Sequence, residues 1–199
     1  MSTIDDTQIH QVVERVIKQV MGSVEPAPIQ QQPSASDQKN PTTVEKPDIR
    51  KVVVIGADHG GFELKEIIKT DLGTLGLDVR DLGTFSKAAV DYPDYAHEVA
   101  KMVGSGKAWR GIMIDGAGIG SCVVANKVPG VRAGMAYDYS SAVNSREHND
   151  TNVLTLGAGM IGINLAKLIV KTWLATEFGG EHHARRIEKI SAVEKMYLK

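Results

Sequence analysis

Two spacings of apolar residues alternate along most of this chain. Short apolar runs at 51–56 (KVVVIG), 77–82, 111–115, 131–136 and 152–156 read as buried strands. Between them, apolar residues recur every three or four positions, which reads as helix over 62–75, 95–103, 122–127, 139–146, 163–176 and 184–197. In the first helix the pattern turns Leu64, Ile67, Ile68 and Leu72 inward. Strands alternating with helices predict an α/β fold, a five-stranded parallel sheet covered on both faces.

The first 48 residues follow another pattern. Ile9, Val12, Val13, Val16, Ile17, Val20 and Met21 form one apolar stripe at helical spacing, so residues 1–22 read as an amphipathic helix. Residues 23–48 scatter Pro26, Pro28, Pro33, Pro41 and Pro47 among Gln, Ser, Thr and Lys and read as a disordered linker. The globular domain takes residues 49–199. A helix this short is marginal alone in water, so it is expected to bind a partner or to pack on its own domain.

Composition removes several function classes. The formal net charge is -1, which offers no footprint for nucleic acid or an anionic membrane. No apolar run reaches the ~18 residues that span a bilayer, and Asp5 and Asp6 stand where a secretory signal would be basic. Cys122 is the one cysteine, so no internal disulfide forms and a cytoplasmic location fits.

Candidate chemistry gathers at strand ends. The run 112–114 stops at Asp115, then Gly116, Gly118 and Gly120 lead into an apolar segment. A glycine-rich turn of this kind either closes backbone N–H groups round an anion or is merely tight. The first strand ends in Ala57-Asp58-His59-Gly60-Gly61; Asp58 either faces the same crevice or caps the next helix. Tyr92 either lines a pocket or packs. His148 lies in the polar loop Arg146-Glu147-His148-Asn149-Asp150 and is a candidate acid or base, or a solvated residue. His182, His183, Arg185 and Arg186 meet an anion or form a solvated basic face. No zinc spacing occurs, and no Lys-Ser/Thr follows the glycines, so neither a metal nor a nucleotide P-loop is expected.

Together these segments resemble the ribose-5-phosphate isomerase B / galactose-6-phosphate isomerase family. The resemblance runs from about Lys51 to Tyr197. It is carried by Gly56 to Phe62, by Asp91-Tyr92-Pro93, by Gly116-Ala117-Gly118-Ile119-Gly120 with Ala125-Asn126-Lys127, by His148 to Val153, and by His183 with Arg186. It implies a Rossmann-like three-layer sandwich and a homodimer, or dimer of dimers, with sites at the subunit interface. It implies cofactor-free, metal-free aldose–ketose isomerisation of a sugar phosphate. Asp58 and His148 would assist ring opening and proton movement at the sugar oxygens, and His59 and Arg186 would hold the phosphate. Gly116, Ala117, Gly118 and Gly120 would stabilise the enediolate, with Tyr92, Asn149 and His182 as further substrate contacts.

The chain also departs from that pattern. Asp115 stands where many members carry a cysteine base, Ala117 where they carry a hydroxyl, Ser121 where another branch has a Glu base, and Gly159 and His182 where arginines are usual. Asp115 is the expected base here. Two alternatives follow: a subunit like the A chain of galactose-6-phosphate isomerase, which needs a paralogue, or a non-catalytic binding subunit. The N-terminal extension resembles peptides that load enzymes into bacterial microcompartments. That implies a shell protein as partner through residues 4–21, and the microcompartment lumen as an alternative location.

Overall fold

The computed structural model describes residues 52–197, all within the unit Glu45–Lys199. The helix expected over 1–22, the linker over 23–48 and the start of the globular domain at 49–51 lie outside the described residues.

Five strands, β1 (Val52–Ala57), β2 (Asp78–Asp81), β3 (Arg110–Asp115), β4 (Ala133–Met135) and β5 (Val153–Gly157), form one parallel sheet in the order β2-β1-β3-β5-β4. Six helices accompany them: α1 (Phe62–Thr74), α2 (Tyr92–Gly104), α3 (Ile119–Ala125), α4 (Tyr139–Glu147), α5 (Ile163–Ala175) and α6 (Glu181–Tyr197). The period-2 alternation of β1 explains the layering. Val53, Ile55 and Ala57 face Leu64, Ile68 and Leu72 of α1 and Ala166, Ile169 and Trp173 of α5. Val52 and Val54 face Ala96, Val99 and Val103 of α2. Both faces are therefore covered, as the apolar runs require.

Each element expected within the described residues exists, with shifted ends. α2 begins at Tyr92 rather than 95 because Asp91 holds extended backbone and Pro93 suits a first helical turn. α3 begins at Ile119 rather than 122, because the Asp115 side chain accepts from Ser121 N and so supplies the acceptor a helix start needs. Gly118, just before it, has φ 80, a left-handed value that glycine adopts freely.

One face of α1 differs from the reading by spacing. Ile67 is only half-buried, and Lys65 is buried instead, its ammonium 2.7 Å from both carboxylate oxygens of Asp81 at the end of β2. Burial pushes the Asp81 pKa up, but hydrogen bonds from Lys65 and Lys69 outweigh it and hold the carboxyl below its ordinary value. Asp81→Asn leaves the Lys65 charge buried with a neutral partner, a loss of roughly 3–5 kcal/mol. The expected result is a melting temperature lower by roughly 10 °C; a thermal scan unchanged from the parent would show that Glu66, 2.9 Å from Lys65, suffices.

Candidate active site

The strand order places a crevice between β1 and β3, where successive crossovers leave in opposite directions; open α/β sheets bind ligands there, beyond the carboxyl ends of the strands. Asp58 follows β1, and Asp115 ends β3. The Asp58 N–H donates to Ile114 O at 3.2 Å, which ties the two ends together.

Asp58 is buried. Its Oδ1 accepts from Gly61 N at 2.9 Å, which fixes the turn leading into α1, whose N-cap is Gly61; its Oδ2 has no hydrogen-bond partner among the described residues. A methyl group built on Gly60 would lie 3.4 Å from Asp58 Oδ1 and 3.6 Å from Gly116 N, so the carboxylate and the start of the glycine loop both border the space beside Gly60. His59 is exposed, and its Nδ1 sits 3.2 Å from Val90 O and 3.3 Å from Val90 N, which joins the β1 end to the segment leading into α2. Tyr92 lies over Gly120: a Cβ there would be 2.5 Å from the ring Cζ and 2.7 Å from the hydroxyl. Asp58, His59, Tyr92, Asp115 and the glycine loop thus share one end of the sheet.

Asp115 stands at the loop mouth as expected, but its lone pairs are occupied. Oδ1 accepts from Ala117 N at 2.9 Å and from Gly118 N; Oδ2 accepts from Ser121 N at 3.1 Å and Ser121 Oγ at 2.5 Å. The same bonds narrow the expected anion cradle. Ala117 and Gly118 N–H point inward to Asp115, and the loop N–H groups without a partner among the described residues are those of Gly116, Ile119 and Gly120. Cys122 faces away, its Sγ 3.5 Å from Ala133 O, and burial pushes its thiol pKa up.

The remaining candidates lie elsewhere. His148 caps the C-terminus of α4, just before β5, and Val153 of β5 pairs with Gly111 at the start of β3. Asp115 pairs with Gly157 at the other end. Four residues at ~3.3 Å each separate the two levels by ~13 Å. His148, Asn149, His182 and Arg186 therefore gather at the amino end of the sheet, not beside Asp58. Gly179 N donates to Glu147 O at 2.9 Å, which brings the start of α6 to the end of α4. His183 stacks on His148 at 4.3 Å between ring centroids, and the His182 ring lies tilted against it at 4.0 Å. Desolvation first, then repulsion from His182, His148 and Arg186, lowers the His183 pKa.

Asn144 was not singled out by its sequence context, yet it organises this half. Its amide donates to His148 Nδ1 at 3.0 Å, and its backbone and side-chain oxygens accept from Asn149 Nδ2 at 3.2 and 3.3 Å. Its position four residues before His148 on one helix is the signal that could have found it. A cavity of about 600 Å³ beside the free edge of β4 includes Asn144, Asn149, Arg132 and Ile190 in its wall. Among the described residues, no group of three or more His, Cys, Asp or Glu is placed to hold a metal ion, and no helix is long and apolar enough to cross a membrane.

Residues 53–190 match the family model described as Ribose/Galactose Isomerase. Ribose-5-phosphate isomerase B of Escherichia coli is 44% identical over 145 residues, 73% of this chain and 97% of that protein. D-erythrulose-4-phosphate isomerase of Pectobacterium atrosepticum is 42% identical over 71% of this chain and 94% of its own length. The solved structure of Clostridium thermocellum ribose-5-phosphate isomerase B superposes with a TM-score of 0.72 at 48% identity, covering 73% of this chain and 99% of that one.

Proposed function

The chain belongs to the ribose/galactose isomerase family, and on that premise we propose that it is an aldose–ketose isomerase of a sugar phosphate of the ribose 5-phosphate type, working through an enediolate. The observation that carries the reading is that the Asp58 carboxylate and the Gly116 N–H, which has no partner among the described residues, lie together at the mouth of the β1/β3 crevice, each within 4 Å of where a Gly60 side chain would begin. Isomerisation needs a base beside the carbon and donors beside the oxygen where charge develops. Tyr92 and His59 would flank the sugar from the same end.

The distance of His148 from that crevice supports a site built from two copies of the chain. In a two-fold dimer with sheets running oppositely, the amino end of one copy meets the carboxyl end of the other. His148, Asn149, His182 and Arg186 of the second copy would then face the substrate, His148 opening the ring and the basic groups holding the phosphate. Exposed apolar side chains on α3 (Ile119, Val123) and α6 (Ile190, Val193, Met196) supply surface for such a contact. For residues 1–22 the proposed role is docking to a shell protein of a microcompartment. The apolar spacing of that segment supports this, as does its place before the family match, which starts at residue 53. A fluorescent fusion that stays diffuse beside the cognate shell would remove that role.

The test of function is a turnover screen of the purified protein against four-, five- and six-carbon aldose phosphates. A five-carbon 5-phosphate closes a ring, whereas a four-carbon 4-phosphate has no free hydroxyl with which to close a five-membered one. His148→Ala is therefore expected to slow the five-carbon substrate by ~10²-fold or more while leaving the four-carbon one within a few-fold. Equal losses on both would take ring opening away from His148. No turnover of any sugar phosphate would favour the non-catalytic alternative.

A further inference from the structure

Resting on the isomerase reading, we infer that Asp58, rather than Asp115, carries the proton between the two sugar carbons, and that Asp115 with Ser121 forms the clasp that shapes the glycine loop. A general base needs a lone pair that reaches the C–H bond. A carboxylate offers about four acceptor sites, and all four on Asp115 are taken within the loop, by Ala117 N, Gly118 N, Ser121 N and Ser121 Oγ. Asp115 is 4% exposed and Ser121 0%. To meet a substrate, Asp115 would have to release the Ser121 hydroxyl into a buried place and undo the bonds that set the start of α3.

Asp58 has the opposite arrangement. One oxygen is fixed by the Gly61 N–H, which orients the carboxylate, and the other has no partner among the described residues. This carboxylate and the Gly116 N–H, a donor without a partner among the described residues, border the same space beside Gly60. With the aldose carbonyl oxygen O1 on the Gly116 N–H, Asp58 Oδ2 takes the proton from C2. The C–H electron pair becomes the C1=C2 bond, and the carbonyl pair moves onto O1. The O2 proton then crosses to O1 and C2=O2 forms as Asp58 returns its proton to C1. The carboxylate is restored, and no co-reactant is consumed.

The experiment uses the full chain in D2O with the four-carbon aldose 4-phosphate, so that ring opening does not enter. Asp58→Asn keeps the bond from Gly61 N, because an Asn side-chain oxygen accepts from the same N–H. It is expected to lose ~10²–10⁴-fold in kcat, with KM within a few-fold, melting temperature unchanged and no deuterium at the product carbon. Asp115→Asn and Ser121→Ala are expected to melt earlier and lose some kcat, yet still to place deuterium at carbon. Should Asp58→Asn melt early, Asp58→Ser, whose hydroxyl is also an acceptor, gives the same reading. A folded Asp58 variant that exchanges deuterium at the parental rate overturns the assignment, as does a stable Asp115→Asn that exchanges none. If the parent protein itself turns over no four-, five- or six-carbon aldose phosphate, the isomerase reading falls with it; turnover by the parent leaves only Asp58 at stake.

Discussion

Co-expressing Asp58→Asn with His148→Ala restores activity on a five-carbon sugar phosphate that neither variant shows alone. The two residues lie at opposite ends of one sheet, Asp58 after β1 and His148 before β5, about the length of a strand apart. No side-chain movement closes that distance, so a site that uses both takes one from each copy. A mixed dimer then has one site with both substitutions and one with neither. Random pairing makes about half the dimers mixed, so roughly a quarter of parental activity returns. Each variant alone is expected to fall by ~10²–10⁴, which makes that return large against the background. Activity in the mixture no higher than the mean of the separate variants would overturn a site shared between two copies.

Gly61→Ala is expected to unfold the domain's functional end, with a loss of at least ~3 kcal/mol and a melting temperature lower by roughly 10 °C. A Cβ at Gly61 would lie 2.1 Å from Ile114 O and 2.6 Å from Ile114 C. Both are backbone atoms of β3, so no rotamer change relieves the clash. The start of α1 would have to move off β3, breaking the Asp58 N–H bond to Ile114 O and the bond from Gly61 N to the Asp58 carboxylate. The glycine is therefore what lets Asp58 sit against the β3 loop. Gly73→Ala near the end of α1 is the control: nothing lies within 4 Å of its Cβ, and alanine there is expected to add ~0.5–1 kcal/mol. Denaturant unfolding of both variants reads the difference, and a Gly61→Ala midpoint equal to the parent's would disprove the close packing.

Spacing alone determined the five strands, the six helices that follow them, and the placing of Asp58 and Asp115 at strand ends. These are local properties: burial on one or both faces repeats every two or 3.6 residues, and a strand end is marked by the residue where that repeat stops. Family resemblance added the list of site residues and the expectation of a site at a subunit interface, but not which residue lies at which end of the sheet. The tertiary structure decided that Lys65 turns inward, because its partner Asp81 lies sixteen residues on, at the end of β2. It decided that His148 and Asp58 are far apart, because helices in a parallel sheet return the chain to the opposite end before the next strand begins. It decided what Asp115 does. Its residue type and position match those of a base, but whether a carboxylate has a lone pair to offer depends on which donors the folded loop turns toward it, and here Ala117, Gly118 and Ser121 take them all.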